Sequence, residues 1–217
     1  MMVSRVLRGM ALGAVAVLGA CHKDSTGPKV GNSVLGSYYG VYGASNGSAS
    51  AGGSLIIVIQ VGTATGTLTP VGQSGINLTG TYVSSSGAVN LNGSGHTLVG
   101  TISGTKLDGT YTGPDGVGNF GTQHGQSSSD VQLFCGTYTG DSQGVWNLSK
   151  AGSTLNGAYA DDGGGSAQLT GTVSGSTINI NFSGGTASGS LSTATTMTGN
   201  WTAGAASGTW QGQSPCP

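Results

Sequence analysis

The sequence predicts an all-β protein: an antiparallel, Gly/Thr-rich meander forming two related barrel-like units behind an export segment and a polar tether. Three observations carry that expectation. First, a five-residue unit, apolar-x-Gly-x-apolar, returns as LTGTY (Leu78 to Tyr82), LVGTI (Leu98 to Ile102), LDGTY (Leu107 to Tyr111), LNGAY (Leu155 to Tyr159), LTGTV (Leu169 to Val173) and MTGNW (Met197 to Trp201), with weaker copies from Ala64, Ala187 and Ala206. In an extended chain residues i, i+2 and i+4 share a face, so each unit shows apolar, Gly, apolar on one side and Thr, Ser, Asn or Asp on the other. One face is expected to be buried and the other wet. Second, glycine supplies 44 of 217 residues, about three times the ~7% average, and it recurs inside this alternation, which marks a folded chain. Glycine and β-branched Thr at this density disfavour helix. Third, short links such as Ser103-Gly104 and Ser174-Gly175 separate the alternating runs, the latter preceding a strand at Thr177 to Phe182. Strand starts every ~8 to 14 residues suit a meander, barrel or sandwich.

The elements follow in chain order. Residues 1–20 carry Arg5 and Arg8, then an apolar run from Met10 to Leu18, and end in Leu18-Gly19-Ala20-Cys21. Charged start, short apolar centre and small residues before the cut make an export signal, too short to span a bilayer as a finished helix. The cysteine at the cut resembles the lipobox of bacterial type II signal peptides. That resemblance implies acylation of Cys21, cleavage between Ala20 and Cys21, and a lipoprotein held on the membrane by two or more acyl chains, a durable anchor where one chain is marginal. His22 follows the cysteine, with Asp24 two further on. In the enteric members of the family Asp directly after the cysteine retains the protein in the inner membrane, so its absence implies the outer membrane. Residues 21–35 then form a polar tether with Gly27-Pro28, Gly31 and Asn32 and no apolar period.

The first unit covers residues 36–121, opening with Gly36-Ser37-Tyr38-Tyr39-Gly40 and closing near Gly118-Asn119-Phe120-Gly121. A polar linker, 122–132, separates it from the second unit, 133–217, which opens with Gly136-Thr137-Tyr138-Thr139-Gly140 and closes with Gly208-Thr209-Trp210-Gln211-Gly212. The two read as a degenerate internal duplication. Glycines at mid-strand on the buried face permit tight bending, close strand approach, or an aromatic ring laid over bare backbone. All three suit small curved barrels, although a single large barrel or a sandwich fits the same pattern. With Cys21 lipidated, Cys135 and Cys216 remain as an even pair in an exported chain, and a disulfide between them is expected. It would bring the first and last strands of the second unit together, as barrel closure requires. The stretch GTYTG from Gly136, then Trp146, then GSTLNGAY to Tyr159 resembles the opening of avidin-like and lipocalin-like barrels. The polar residues that hold biotin in the avidin family have no counterpart here, so that ligand is not carried over.

Past residue 20 the chain has no Arg and no Glu, and four Lys stand against seven Asp. Nucleic acid is excluded as a partner, because phosphate recognition needs clustered cations. No cofactor, metal or catalytic residue is expected, and the protein reads as a non-enzyme. His22, His96 and His124 show no metal-ligand spacing and read as solvated, and no G-x-S-x-G nucleophile motif occurs. Asp115 in Gly113-Pro114-Asp115-Gly116 and Asp161-Asp162 before Gly163-Gly164-Gly165 read as turn formers, with calcium as the alternative. The strands are short for the ~9 to 11 residues a transmembrane barrel needs. All three tryptophans, Trp146, Trp201 and Trp210, fall in the second unit with Tyr138, Tyr159 and Phe182. These rings either fill a glycine-depleted core or line a site for a small apolar or sugar ligand. A binding module is the leading expectation, and a structural or adhesive surface protein without a pocket is the alternative. Partners beyond the membrane and that ligand, and the oligomeric state, are not encoded in any motif.

Overall fold

Alternation with glycine at its centre folds here into two closed barrels. The computed structural model describes residues 34–216; the expected signal, with Ala20, Cys21 and His22, lies outside them. The first barrel comprises β1 (Gly36–Ser45), β2 (Ser50–Gln60), β3 (Thr63–Pro70), β4 (Ile76–Val83), β5 (Ala88–Gly93), β6 (His96–Ser103), β7 (Lys106–Gly113) and β8 (Gly116–Gly125). The second comprises β9 (Gln132–Gly140), β10 (Gly144–Ala151), β11 (Thr154–Asp161), β12 (Ser166–Ser174), β13 (Thr177–Phe182), β14 (Gly185–Thr193), β15 (Thr196–Ala203) and β16 (Ala206–Gln213). Each strand pairs antiparallel with the next, and each barrel closes by pairing its last strand with its first. These are up-and-down barrels, a topology that leaves no free sheet edge. All nine copies of the five-residue unit lie on strands, and Ser103-Gly104 and Ser174-Gly175 lie at the junctions between them. The expected disulfide joins Cys135 to Cys216 with Cα atoms 4.8 Å apart, beside the β9–β16 seam where Cys135 also pairs with Gln213.

The strand registers of the two barrels coincide. Tyr42 pairs with Gly53 and Phe120, as Tyr138 pairs with Gly144 and Trp210. Leu98 pairs with Leu91 and Tyr111, as Ala187 pairs with Ile180 and Trp201. The duplication expected from sequence is therefore present, but its opening register differs by four residues. Gly136-Thr137-Tyr138 corresponds to Gly40-Val41-Tyr42, not to Gly36-Ser37-Tyr38. Local likeness favours the first Gly-x-Tyr, whereas ladder pairing fixes the second.

Two other expectations are corrected. Thr122 to Gly125, read as linker, form the end of β8, which leaves only residues 126–131 as the connection. The rule of one buried and one wet face also fails where the barrels meet. Strands β1, β8, β10 and β11 carry runs of consecutively buried residues, because their outer faces pack against the other barrel. Glycine makes this approach possible: a Cβ on Gly121 would fall 2.8 Å from the amide nitrogen of Gly157. Buried amides stitch the contact. Asn147 Nδ2 donates to the Tyr42 carbonyl at 2.7 Å, Gln123 Nε2 to the Ser149 carbonyl at 2.8 Å, and Asn156 Nδ2 to the Thr122 carbonyl at 3.0 Å and to the Asp108 carboxylate. Burial pushes the Asp108 carboxyl above its usual range, and the Asn156 bond opposes that shift. Elsewhere Thr, Ser and Asn dominate the outer walls, with Ile56, Val83, Val99 and Val117 exposed among them, and most other large apolar side chains turn inward.

Candidate ligand-binding site

The interiors of the two barrels differ. In the first, Leu55, Leu68, Leu78, Leu91, Leu98, Leu107, Ile57 and Ile59 fill the lumen with Tyr38, Tyr42, Tyr111 and Phe120, all essentially inaccessible. The end bearing the β1–β2 and β7–β8 turns is stoppered. Tyr42 and Tyr111 donate their hydroxyls to Asp115 Oδ2 at 3.3 and 3.4 Å, and His96 Nδ1 lies 2.7 Å from the Tyr111 oxygen. Burial, reinforced by the Asp115 charge, raises both tyrosines well above their ordinary range, which keeps them neutral donors. His96, read as solvated, is thus a buried member of this stopper, because its place on β6 turns it inward. His124 is likewise engaged, with Nε2 3.2 Å from the Leu35 carbonyl and its ring edge-on to Tyr38. Asp115 serves its turn and also the two tyrosines.

In the second barrel the same end holds a cavity of about 180 Å³. Tyr138, Trp146, Tyr159, Phe182, Trp201 and Trp210 wall it, with Leu169, Ile180, Ala187, Ala203 and Ala206 between them and Ser142 and Asp161 at the rim. The register correspondence explains why it is open. Ala187 stands where the first barrel has Leu98, while Gly185, where it has His96, leaves its space to the Phe182 ring. Large aromatics also replace smaller residues, but they lie against the wall. A Cβ on Gly199 would fall 2.6 Å from the Trp210 ring, and one on Gly208 would fall 2.5 Å from Trp201 Nε1. The rings therefore use the space that glycine vacates in neighbouring strands and leave the axis free.

Hydrogen bonds hold the rings in place. Trp146 Nε1 donates to the carbonyls of Thr137 and Gln211, each at 3.0 Å; Trp201 Nε1 donates to Thr139 and Trp210 Nε1 to Asn200, both at 3.1 Å. Every indole N–H is thus spent on the wall. Neighbouring rings meet edge to face: Tyr138 with Tyr159 at 88°, Tyr138 with Trp201 at 84°, Trp146 with Trp210 at 76° and Tyr159 with Phe182 at 68°. Polar groups gather at the rim. Asp161 Oδ2 accepts from Tyr138 Oη at 3.1 Å and from the Ser142 hydroxyl, and Oδ1 accepts the Gly163 amide. Burial is the main cause that lifts the Tyr138 and Tyr159 hydroxyls above the usual tyrosine range, so both stay protonated.

The structure thus brings together Trp146, Trp201, Trp210, Tyr138 and Tyr159, the residues singled out from sequence. Ala20 and Cys21 lie outside the described residues, and Cys135 and Cys216 sit at the seam, away from the cavity. Asp161 enters as a member of the rim, besides its turn contact with Gly163. The signal for it is positional: it lies two residues after Tyr159 and so shares its inward face. Ala187 opens a weak copy of the repeated unit, but nothing in the sequence marks its small size as leaving a space. Among the described residues no group of three or more His, Cys, Asp or Glu side chains is placed to hold a metal. Two further depressions of about 440 Å³ each lie outside the lumens: one on the outer wall of β9, β15 and β16, the other between the barrels beside Ser50, Pro70, Asp115 and Asn147.

No protein-family model and no curated protein matches the chain. Among solved structures, it is similar to the Myxococcus xanthus hemagglutinin in complex with a3,a6-mannopentaose, at 16% identity over 81% of this chain and 99% of that one, with a TM-score of 0.23.

Proposed function

We propose that this protein is a non-enzymatic binding module of the bacterial cell envelope, anchored through acyl chains on Cys21, and that its second barrel holds a small ligand. The observation that carries the reading is the cavity of about 180 Å³ in one of two barrels with coincident registers, lined by Ala187 where the other barrel carries Leu98. An apolar cavity of ~150 Å³ accommodates benzene, so this one suits a ligand with a single ring or a comparable branched group. Because the indole N–H groups are committed, hydrogen bonding is confined to the rim, which fits an apolar body with one polar head. A hexose needs partners around its whole ring and is the weaker fit.

The placement of Val34 and Leu35, the first described residues, fits the anchored reading. Leu35 packs with His124 and Val34 accepts from Tyr38 Oη at 2.9 Å, at the start of β1, whereas the cavity rim sits at the other end, where Ser50 binds Asp162. A ten-residue strand spans ~30 Å, so a chain anchored through residues 21–33 presents its cavity away from the membrane. The outer membrane is the proposed site, from the residues after Cys21. Two experiments test the reading. Tryptophan emission titrated with benzyl alcohol and with methyl glucoside should shift saturably with the first; no saturable change with either overturns the ligand site, and a shift with the glycoside alone reassigns it to sugar. Mass spectrometry of the protein taken from membranes should find residues 1–20 removed and acyl chains on an N-terminal Cys21, and an unmodified Cys21 overturns the anchor.

A further inference from the structure

We propose that the ligand of the second barrel is a small organic cation, an ammonium group bearing methyls or a ring; this rests on reading the cavity as a ligand site and names its chemical class. Six aromatic rings wall the cavity. An aromatic face carries negative quadrupolar charge, and a cage of rings holds an alkylated ammonium better than a neutral group of the same shape. A trimethylammonium group has about the bulk of a benzene ring, which matches the space. The edge-to-face packing of Tyr138, Trp201 and Tyr159 turns ring faces in more than one direction, as such a cage requires.

Charge around the cavity points to the same class of ligand. Asp161 is the only ionisable carboxylate among the lining residues, and no lysine lines the cavity. Its partners, Tyr138, Ser142 and the Gly163 amide, are neutral donors that hold the carboxylate in place without cancelling its charge. Asp141, bound to the Ser207 amide, and Asp162, bound to Ser50, flank the same rim. The second barrel's one lysine, Lys150, lies at the opposite end of β10, and the chain past residue 20 has no arginine. A mouth lined by one sign of charge, with low-dielectric walls, concentrates ions of the other sign. An anion is repelled there, and a neutral apolar ligand gains nothing from the arrangement.

The test compares choline with its neutral isostere 3,3-dimethylbutan-1-ol, titrated into the full chain and followed by tryptophan emission and calorimetry. Choline should bind at least about tenfold more tightly, with the advantage shrinking as sodium chloride is added and in Asp161→Asn. Equal affinities, or binding of the alcohol and of benzyl alcohol without choline, overturn the cationic assignment and leave the cavity reading standing. Binding of none of the three overturns both. The comparison on the unaltered chain does not depend on how Asp161→Asn folds.

Discussion

Ala187→Leu turns the difference between the barrels into a measurement. The substitution restores the residue that the first barrel carries at the same register, where Leu98 is fully buried between Leu91 and Tyr111. It adds three carbons to the cavity wall. Fully buried, they stabilise by ~0.8 kcal/mol each, an upper bound of ~2.4 kcal/mol. For a protein of this size that raises Tm by ~5 to 10 °C, at ~2 to 4 °C per kcal/mol. The same atoms occupy ligand space, so binding of benzyl alcohol and choline should fall together. Thermal melts and tryptophan titrations on one preparation give both numbers. The reciprocal change, Leu98→Ala, should cost ~2 to 5 kcal/mol. Forced into a filled lumen, Ala187→Leu would instead cost ~1 to 3 kcal/mol from overpacking. A destabilised Ala187→Leu that still binds ligand would mean that the second barrel is filled at this position.

Other consequences are equally measurable. Gly199→Ala places a methyl against the Trp210 ring and the Ser188 carbonyl, so it should lose ~1 to 3 kcal/mol in urea unfolding and change tryptophan emission without any ligand. Reduction of the Cys135–Cys216 bridge, whose cysteines lie 81 residues apart, should lower stability by ~2 to 4 kcal/mol, as read by melts with and without reductant. Asp162, half-buried at the rim, is held below the usual carboxylate range by hydrogen bonds, first from Ser50 and then from Gln143. A lowered folded value contributes stability above the unfolded value near 3.8 that is lost as pH falls through the folded one. The stability difference between the parent and Asp162→Ala should therefore be present at pH 7 and shrink as pH falls below the unfolded value of 3.8, measured by denaturant midpoints across the acid range.

Much of the fold is legible in the sequence because strand geometry is local. Apolar, Gly, apolar at i, i+2 and i+4 identifies an inner face wherever it occurs, and Gly-containing links identify the hairpins. The cysteine pair is legible from its even count and its position around one unit. What stays hidden is set by non-local pairing. Gly43, Gly52, Gly121, Asn147, Ser149 and Asn156 look like wet-face residues, and only the meeting of two barrels buries them or makes their smallness necessary. His96 looks solvated until β6 turns it onto Tyr111. The aromatic half of the site is legible, since three tryptophans in one unit stand out. Its empty half is not, because Ala187 acquires meaning only when aligned with Leu98 through ladder registers that no sequence pattern contains.

The two barrels differ in a cavity present in the second and filled in the first. Diffraction from crystals held under xenon tests this difference most directly, because xenon enters apolar cavities of this size without needing a charge or hydrogen bond. One strong xenon peak is expected among Trp201, Ile180 and Ala187, none inside the first barrel, with loss of the peak in Ala187→Leu. A second barrel without xenon, or equal peaks in both barrels, would contradict this difference.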